Sequence, residues 1–385
     1  MKIALSTMGT FHAFDLAREL HTSQSLAAIF TGYPRFKLKT RQLPPQLIRT
    51  FPWIHTPYMA FKRKDALGAS VVRAWEHLDR TTFDRHVVHN LPDCDVFVGM
   101  SGSALHSGQA AKRRGARYVC DRGSSHIRVQ DRLLREEADR WGLAFDGIDP
   151  RVIEREEAEY SESDCITVPS SFSLESFVQR GVPRQKMRLL PYGVNLDLFK
   201  PHGQPMPGRF DVLYVGGMNL NKGIPYLLQA YRAFQHPRKS LSMAGTPSPD
   251  FIAKMKRHGL WDDSIRVMGH VPQTELTSLM SRSHAMVLAS VQEGLALVQA
   301  QALASGCVVI GTENTGARDL FNEGQEGFIV PIRDPAAITA RLQQLADAPL
   351  LRAEMSRSAV VRVQSAGGWR DYGVKAQAIY RELMA

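Results

Sequence analysis

The chain is poor in cysteine. Cys94, Cys120, Cys165 and Cys307 are the only four in 385 residues, and they stand far apart. They form no Cys-x-x-Cys pair and no zinc spacing, so reduced thiols in a cytoplasmic protein are expected. Long apolar runs are also missing: no stretch approaches the roughly 20 residues of a membrane span. The apolar start Met1-Lys2-Ile3-Ala4-Leu5 meets Ser6-Thr7 too soon for a signal peptide and reads as a first strand. Long repeats and low-complexity tracts are absent. So are zinc-finger spacing and an aromatic RNA-binding signature, and nucleic acid is therefore not expected as a partner. The net charge of +10 then points to an anionic lipid surface or a phosphorylated substrate. The turn after the first strand is not a full Gly-x-Gly-x-x-Gly, which weakens a dinucleotide reading. Asp-x-Asp occurs only as Asp93-Cys94-Asp95, ahead of a strand and not in a loop that follows one, so neither a metal nor another cofactor is expected.

What is present fits an α/β protein. The length suits two domains, and 44% apolar with 22% charged residues is ordinary for a globular chain. Lys2–Ser6 and Leu26–Phe30 read as strands, with Ala13–Leu20 a helix between them. Asp95–Gly99 and Tyr118–Cys120 are further strands, each followed by a polar, glycine-containing loop. The first of these loops holds Ser101. The second, Asp121-Arg122-Gly123-Ser124-Ser125-His126, gathers a His, an Asp, an Arg and two hydroxyls. Residues 132–141 and 151–160 read as charged helices. Between Tyr33 and Arg73, basic residues (Arg35, Lys37, Lys39, Arg41, Arg49, Lys62, Arg63, Lys64) alternate with aromatic and aliphatic ones, and Pro44, Pro45, Pro52 and Pro57 break any long helix. Such a surface suits an anionic membrane, where each Lys or Arg is worth roughly 1 kcal/mol. A solvated charged face over ordinary core residues fits the same pattern.

The turn-rich stretch 202–208 marks a domain boundary. Phe210–Val215 is then a fresh first strand, Gly216 to Gly223 its loop and Ile224–Phe234 its helix. Backbone can approach a ligand closely at Gly216 and Gly217, and Lys222 can reach a diphosphate; a solvated lysine would be badly placed at a helix start. Ala285–Ser290 is a buried strand, Glu293-Gly294 a turn, Leu297–Ala304 a helix and Val308–Ile310 the next strand. In a parallel sheet that turn lies at the carboxyl ends of the strands. Helix-start amides there can hold phosphate while the Glu293 carboxylate holds hydroxyls, a grip suited to a nucleotide-linked sugar.

The stretch from Glu293 to Gly311 resembles the donor-site signature of retaining glycosyltransferases of family 4: Glu-Gly, apolar residues, a second Glu eight positions on, then Ala-x-Ala-x-Gly. Here position 301 holds Gln301, which carries no charge for the ribose contact. The Gly193-Val194-Asn195…Phe199 linker and the Gly216…Lys222-Gly223 loop match as well, although Gly217 stands where the family often has Arg. The resemblance implies the GT-B fold: two Rossmann-like domains facing across a cleft, residues 1–200 binding acceptor and 201–364 binding nucleotide sugar, with 365–385 crossing back to the first. It implies donor contacts from Gly9, Gly216, Gly217, Lys222, Gly269, His270, Val271, Glu293, Gly294, Leu295, Leu297, Val298 and Gln301. Thr10, Ser101, Asp121, Arg122 and Ser124 would meet the acceptor. A His of the first domain would reach across the cleft, with His126 the candidate ahead of His106 and His12. The implied activity is metal-independent, retaining transfer from a nucleoside-diphosphate sugar to a saccharide or lipid-linked acceptor. This places the protein in cell-surface polysaccharide or glycolipid synthesis, at the inner face of the membrane. An inactive nucleotide-sugar-binding protein, or an epimerase or phosphorylase on the same fold, stays open beside it.

Overall fold

The computed structural model describes residues 1–61 and 64–385. Its strands form two all-parallel sheets. The first contains β1 (Ile3–Thr7), β2 (Leu26–Thr31), β3 (Ile48–Thr50), β4 (Val96–Met100), β5 (Arg117–Asp121), β6 (Cys165–Val168) and β7 (Met187–Leu189), in the order β3-β2-β1-β4-β5-β6-β7. The second contains β8 (Phe210–Val215), β9 (Lys239–Ala244), β10 (Arg266–Gly269), β11 (Ala285–Leu288), β12 (Val308–Thr312) and β13 (Gly327–Val330), ordered β10-β9-β8-β11-β12-β13. The short apolar runs become strands because helices cover both faces of each sheet. All five residues of β1 and all four of β11 are buried. Registers are tight: Leu5 lies beside Ile29 and Val98, and Ala285 beside Val212 and Val308. In each sheet the order reverses beside the first strand, between β1 and β4 and between β8 and β11, which opens a crevice at the carboxyl ends.

Helices of the first domain are α1 (Ala13–Thr22), α2 (Pro52–Ala60), α3 (Ala69–Asn90), α4 (Leu105–Arg113), α5 (Ile127–Arg140), α6 (Pro150–Glu162) and α7 (Ser171–Val178). Those following are α8 (Ile224–Ala233), α9 (Pro249–Arg257), α10 (Gln273–Arg282), α11 (Leu297–Ala304), α12 (Ala317–Leu320), α13 (Pro335–Asp347), α14 (Pro349–Ala366) and α15 (Trp369–Glu382). The last helix crosses back: Tyr372, Ala376, Ile379 and Tyr380 join Ile3, Leu5, Phe14 and Leu20 in one apolar cluster. Helix α14 stays behind, with Met355, Ala359 and Val363 in the core of the second domain. The two crossing segments meet at Gly193, where a Cβ would lie 2.6 Å from the backbone of Gly368 and Trp369. Beside it Asn195 Oδ1 accepts from the amides of Asp197 and Leu198, and Phe199 is buried, which accounts physically for the linker signature.

The basic region is more ordered than its prolines suggest. Two 3-10 turns (Arg35–Arg41 and Pro45–Leu47) lead through β3 into α2, which begins at Pro52 and tolerates Pro57 inside it. Lys62 and Arg63 lie outside the described residues. The 22-residue α3 has no apolar stripe to announce it: its buried positions are Asp79, Phe83, Asp84 and Val87, two of them charged.

The domains touch along the cleft floor. Ser170 Oγ donates to Gly294 O at 2.6 Å, and Gln292 Nε2 to Ser124 Oγ at 2.5 Å. Ser171 N and Oγ both reach Asp319 Oδ2 at 2.9 Å. To one side, Arg333 bonds Glu137 at 2.9 Å and Glu136 at 3.0 Å, while Val129 and Leu133 of α5 join the core of the second domain.

Candidate active site

A cavity of about 580 Å³ opens between the carboxyl ends of the two sheets. The second domain supplies two loops at its switch point. After β8, Gly216 (φ +148°) turns the chain beneath Tyr214, whose hydroxyl donates to Gly217 O at 2.5 Å. A Cβ on Gly216 would stand 2.9 Å from that hydroxyl, whereas one on Gly217 would find nothing nearer than 3.7 Å. Lys222 follows, its amide held by Asn219 Oδ1 at 3.2 Å, and Gly223 (φ +65°) starts α8 where any Cβ would strike Ala289 O. After β11, Glu293 stands over the start of α11. No side chain caps that helix among the described residues. The amides of Leu297 and Val298, in its first turn, therefore have neither an intrahelical acceptor nor a side-chain cap.

Lys222 Nζ and Glu293 Oε2 are hydrogen-bonded to each other, and Ser290 Oγ approaches the same oxygen at 3.4 Å. A cation, a carboxylate and open helix amides thus share one wall. An anion on the amides would draw Lys222 toward itself and leave the Glu293 oxygens free to accept hydroxyls.

The first domain supplies the facing wall. Ser101, Arg122 and Ser124, named from sequence as acceptor contacts, line the cavity, and so do Phe11, His12 and Tyr192, which sequence reasoning placed lower or missed. His12 is buried, its Nε2 2.6 Å from Asp121 Oδ2 and its ring stacked on Tyr192 at 4.3 Å. Asp121 is therefore not turned to an acceptor: its other oxygen takes the Thr167 hydroxyl at 2.8 Å. Arg122 is enclosed by Glu156 (2.9 Å), Gln130 Oε1 (2.6 Å), Ser101 Oγ (3.2 Å) and Ser125 O (3.1 Å). Phe11, with φ +36° and 63% exposed, holds a conformation that costs a non-glycine residue energy, in the loop between β1 and α1.

His126 lies elsewhere. It begins α5, its Nδ1 accepting the Arg128 amide at 3.2 Å, and its ring packs against Tyr160 and Phe177. Burial pushes its pKa down to about 4. The loop turns into helix at that residue, so its side chain is spent on the cap and the core, while His12 enters the cleft from the β1–α1 loop.

Gly216, Gly217, Lys222, Glu293, Leu295, Leu297 and Val298 line the cavity. Gly294 sits beneath it against Gly123, where a Cβ would overlap the carbonyl at 2.0 Å. Gln301, one turn along α11, does not line it; nor do Gly269, His270 and Val271, although Gly269 bridges to Gly245 on the same sheet edge. Thr10 is turned away, accepting from Arg41 at 3.0 Å, and Gly9 lines a second, adjoining cavity. Among the described residues no helix is long and apolar enough to cross a membrane.

Residues 209–348 match the family model of glycosyl transferases group 1. Glycogen synthase of Mycobacterium tuberculosis is 28% identical over 46% of this chain and 44% of its own, so this chain spans less than half of that relative's length. In structure, sucrose-phosphate synthase from Thermosynechococcus elongatus superposes with a TM-score of 0.76 at 19% identity, over 100% of this chain and 99% of the other. HepE of Anabaena, in complex with UDP-glucose, gives 0.72 at 14% identity, over 98% and 99%. The second domain thus matches the group 1 glycosyl transferases, and the whole chain has the two-domain GT-B fold of its structural neighbours.

Proposed function

We propose that the protein is a retaining glycosyltransferase that moves a sugar from a nucleoside-diphosphate sugar to a saccharide or lipid-linked acceptor, in cell-surface polysaccharide or glycolipid synthesis. The observation that carries this reading is the Lys222–Glu293 pair beside the uncapped start of α11. Diphosphate resting on the Leu297 and Val298 amides recruits Lys222, and Glu293 then holds the hydroxyls of the sugar. The C1–O bond to phosphate breaks with its electron pair leaving on the diphosphate, where Lys222 and the amides stabilise the growing charge. The acceptor oxygen bonds C1 on the face the diphosphate left. With Nε2–H donated to Asp121, His12 keeps Nδ1 as an acceptor and takes up the acceptor's hydroxyl proton. No divalent ion takes part in this scheme, and transfer should persist in EDTA.

The bound UDP-glucose of the Anabaena structure supports a nucleotide-sugar donor. Phe36 (65% exposed) beside Arg35 and Lys39, with Trp53 (74% exposed) further along the same basic stretch of chain, supports docking on an anionic membrane from the cytoplasmic side. Purified protein given a panel of nucleotide sugars should release nucleoside diphosphate. Glu293→Ala should abolish that release while melting like the wild type; near-normal turnover in the variant would remove the assignment. Cosedimentation with phosphatidylglycerol vesicles, lost in Trp53→Ser/Phe36→Ser, tests the membrane edge.

A further inference from the structure

The second cavity, about 440 Å³, lies wholly in the first domain and adjoins the first, sharing Phe11, Met100, Ser101, Arg122 and Gln130 with it. That volume is within the range of small-molecule sites. Its far wall comes from α2 and α3, and it is acidic. Glu76, Asp79 and Glu156 face Arg80 and Arg122 among the described residues.

The cations are largely occupied. Arg122 has Nε, Nη1 and Nη2 each bonded within the protein, and Arg80 Nη1 donates to Gly102 O at 3.3 Å. The carboxylates are less so. Glu156 is matched by Arg122 at 2.9 Å and by the Tyr160 hydroxyl at 2.6 Å. Among the described residues Glu76 takes only the Tyr58 hydroxyl, on one oxygen. Asp79 is 2% exposed, with Oδ2 held by His55 Nδ1 at 2.8 Å and Oδ1 without a partner among the described residues. A buried carboxylate oxygen in that state requires a hydrogen-bond donor. Tyr33 and His55, with ring centroids 5.7 Å apart, add flat apolar surface of the kind that packs on sugar rings.

We propose that this cavity is the acceptor site, and that it selects an uncharged, hydroxyl-rich acceptor (a glycoside or polyol) over a phosphorylated or uronate one. Hydroxyls donate to Asp79 Oδ1 and to the open oxygen of Glu76. An added phosphate or carboxylate would meet acids whose charges the two arginines do not fully offset. The inference rests on the transferase reading for the word acceptor, but the selectivity is a property of the cavity alone.

The test reads binding without turnover. Saturation-transfer NMR on the purified chain is run with methyl glucoside, methyl mannoside, glucose 6-phosphate and methyl glucuronide. The neutral glycosides should bind at least tenfold more tightly than the anionic sugars. In Asp79→Asn/Glu76→Gln their affinity should fall about tenfold while that of glucose 6-phosphate rises. Opposite movement of the two ligands cannot come from a merely loosened fold. Tighter binding of the anionic sugars by the wild type would overturn the proposal, and so would a double variant in which neither affinity moves. The wild-type comparison decides the question even where the variant does not fold. UDP-glucose titrated in parallel reports on the first cavity: absence of nucleotide binding with intact glycoside selectivity would sink the donor reading and leave this one standing.

Discussion

Gly294→Ala is a small change with a calculable consequence. The new methyl would lie 2.0 Å from Gly123 O, 2.7 Å from Gly123 C and 2.9 Å from Ser124 Cα, all backbone atoms of the opposite domain. Ordinary contact begins near 3.4 Å, so the two loops must part by about 1.4 Å. That stretches the Gln292–Ser124 bond from 2.5 Å and the Ser170–Gly294 bond from 2.6 Å beyond hydrogen-bonding range. Two such bonds are worth roughly 1 kcal/mol each, so closure loses about 2 kcal/mol. The walls proposed to hold the donor lie within the second domain, away from the new clash, so nucleoside-diphosphate affinity should hold. The facing His12, Arg122 and Ser124 retreat, and a misplacement of about 1 Å is enough to lower kcat on the order of 100-fold. Steady-state kinetics with UDP titration, together with small-angle scattering for a wider cleft, check both halves. Wild-type kcat in a variant that folds normally would show that the Gly294–Gly123 contact does not belong to the working state.

Lys222→Met should weaken UDP binding at least tenfold, about 1.4 kcal/mol, as read by calorimetry; unchanged affinity would remove the lysine from the phosphate site. Gly217→Arg places a cation where the backbone leaves room and should tighten UDP roughly fivefold, about 1 kcal/mol, with a steeper salt dependence. For pH, burial holds His126 neutral in the fold, with its pKa lowered from 6.5 to about 4. Its contribution to stability is present above pH 6.5 and is lost as pH falls toward 4, by at most about 1.4 kcal/mol per pH unit. His126→Asn keeps the helix cap and removes the proton. Its stability difference from wild type should therefore change across that window in chemical denaturation; parallel curves would refute the assignment. Glu159, pushed up to about 7 by burial, works in the opposite sense, losing its contribution as pH rises from 4.5 to 7, but it is common to both proteins.

The sequence by itself determined what is local. Runs such as Ile3–Thr7 and Ala285–Leu288 announce buried strands, and their glycine loops place Lys222 and Glu293 at one sheet edge, because a parallel α/β unit always turns the same end toward its ligand. Tertiary structure decided which histidine enters the cleft: His12 and His126 both follow glycine turns, and only packing shows one on Asp121 and the other against Tyr160. It also brought Asp79 to His55, 24 residues away, and Arg122 to Glu156, 34 away. Charged residues at such separations leave no periodicity to read, since their pairing depends on how helices settle against a sheet and not on their spacing in the chain.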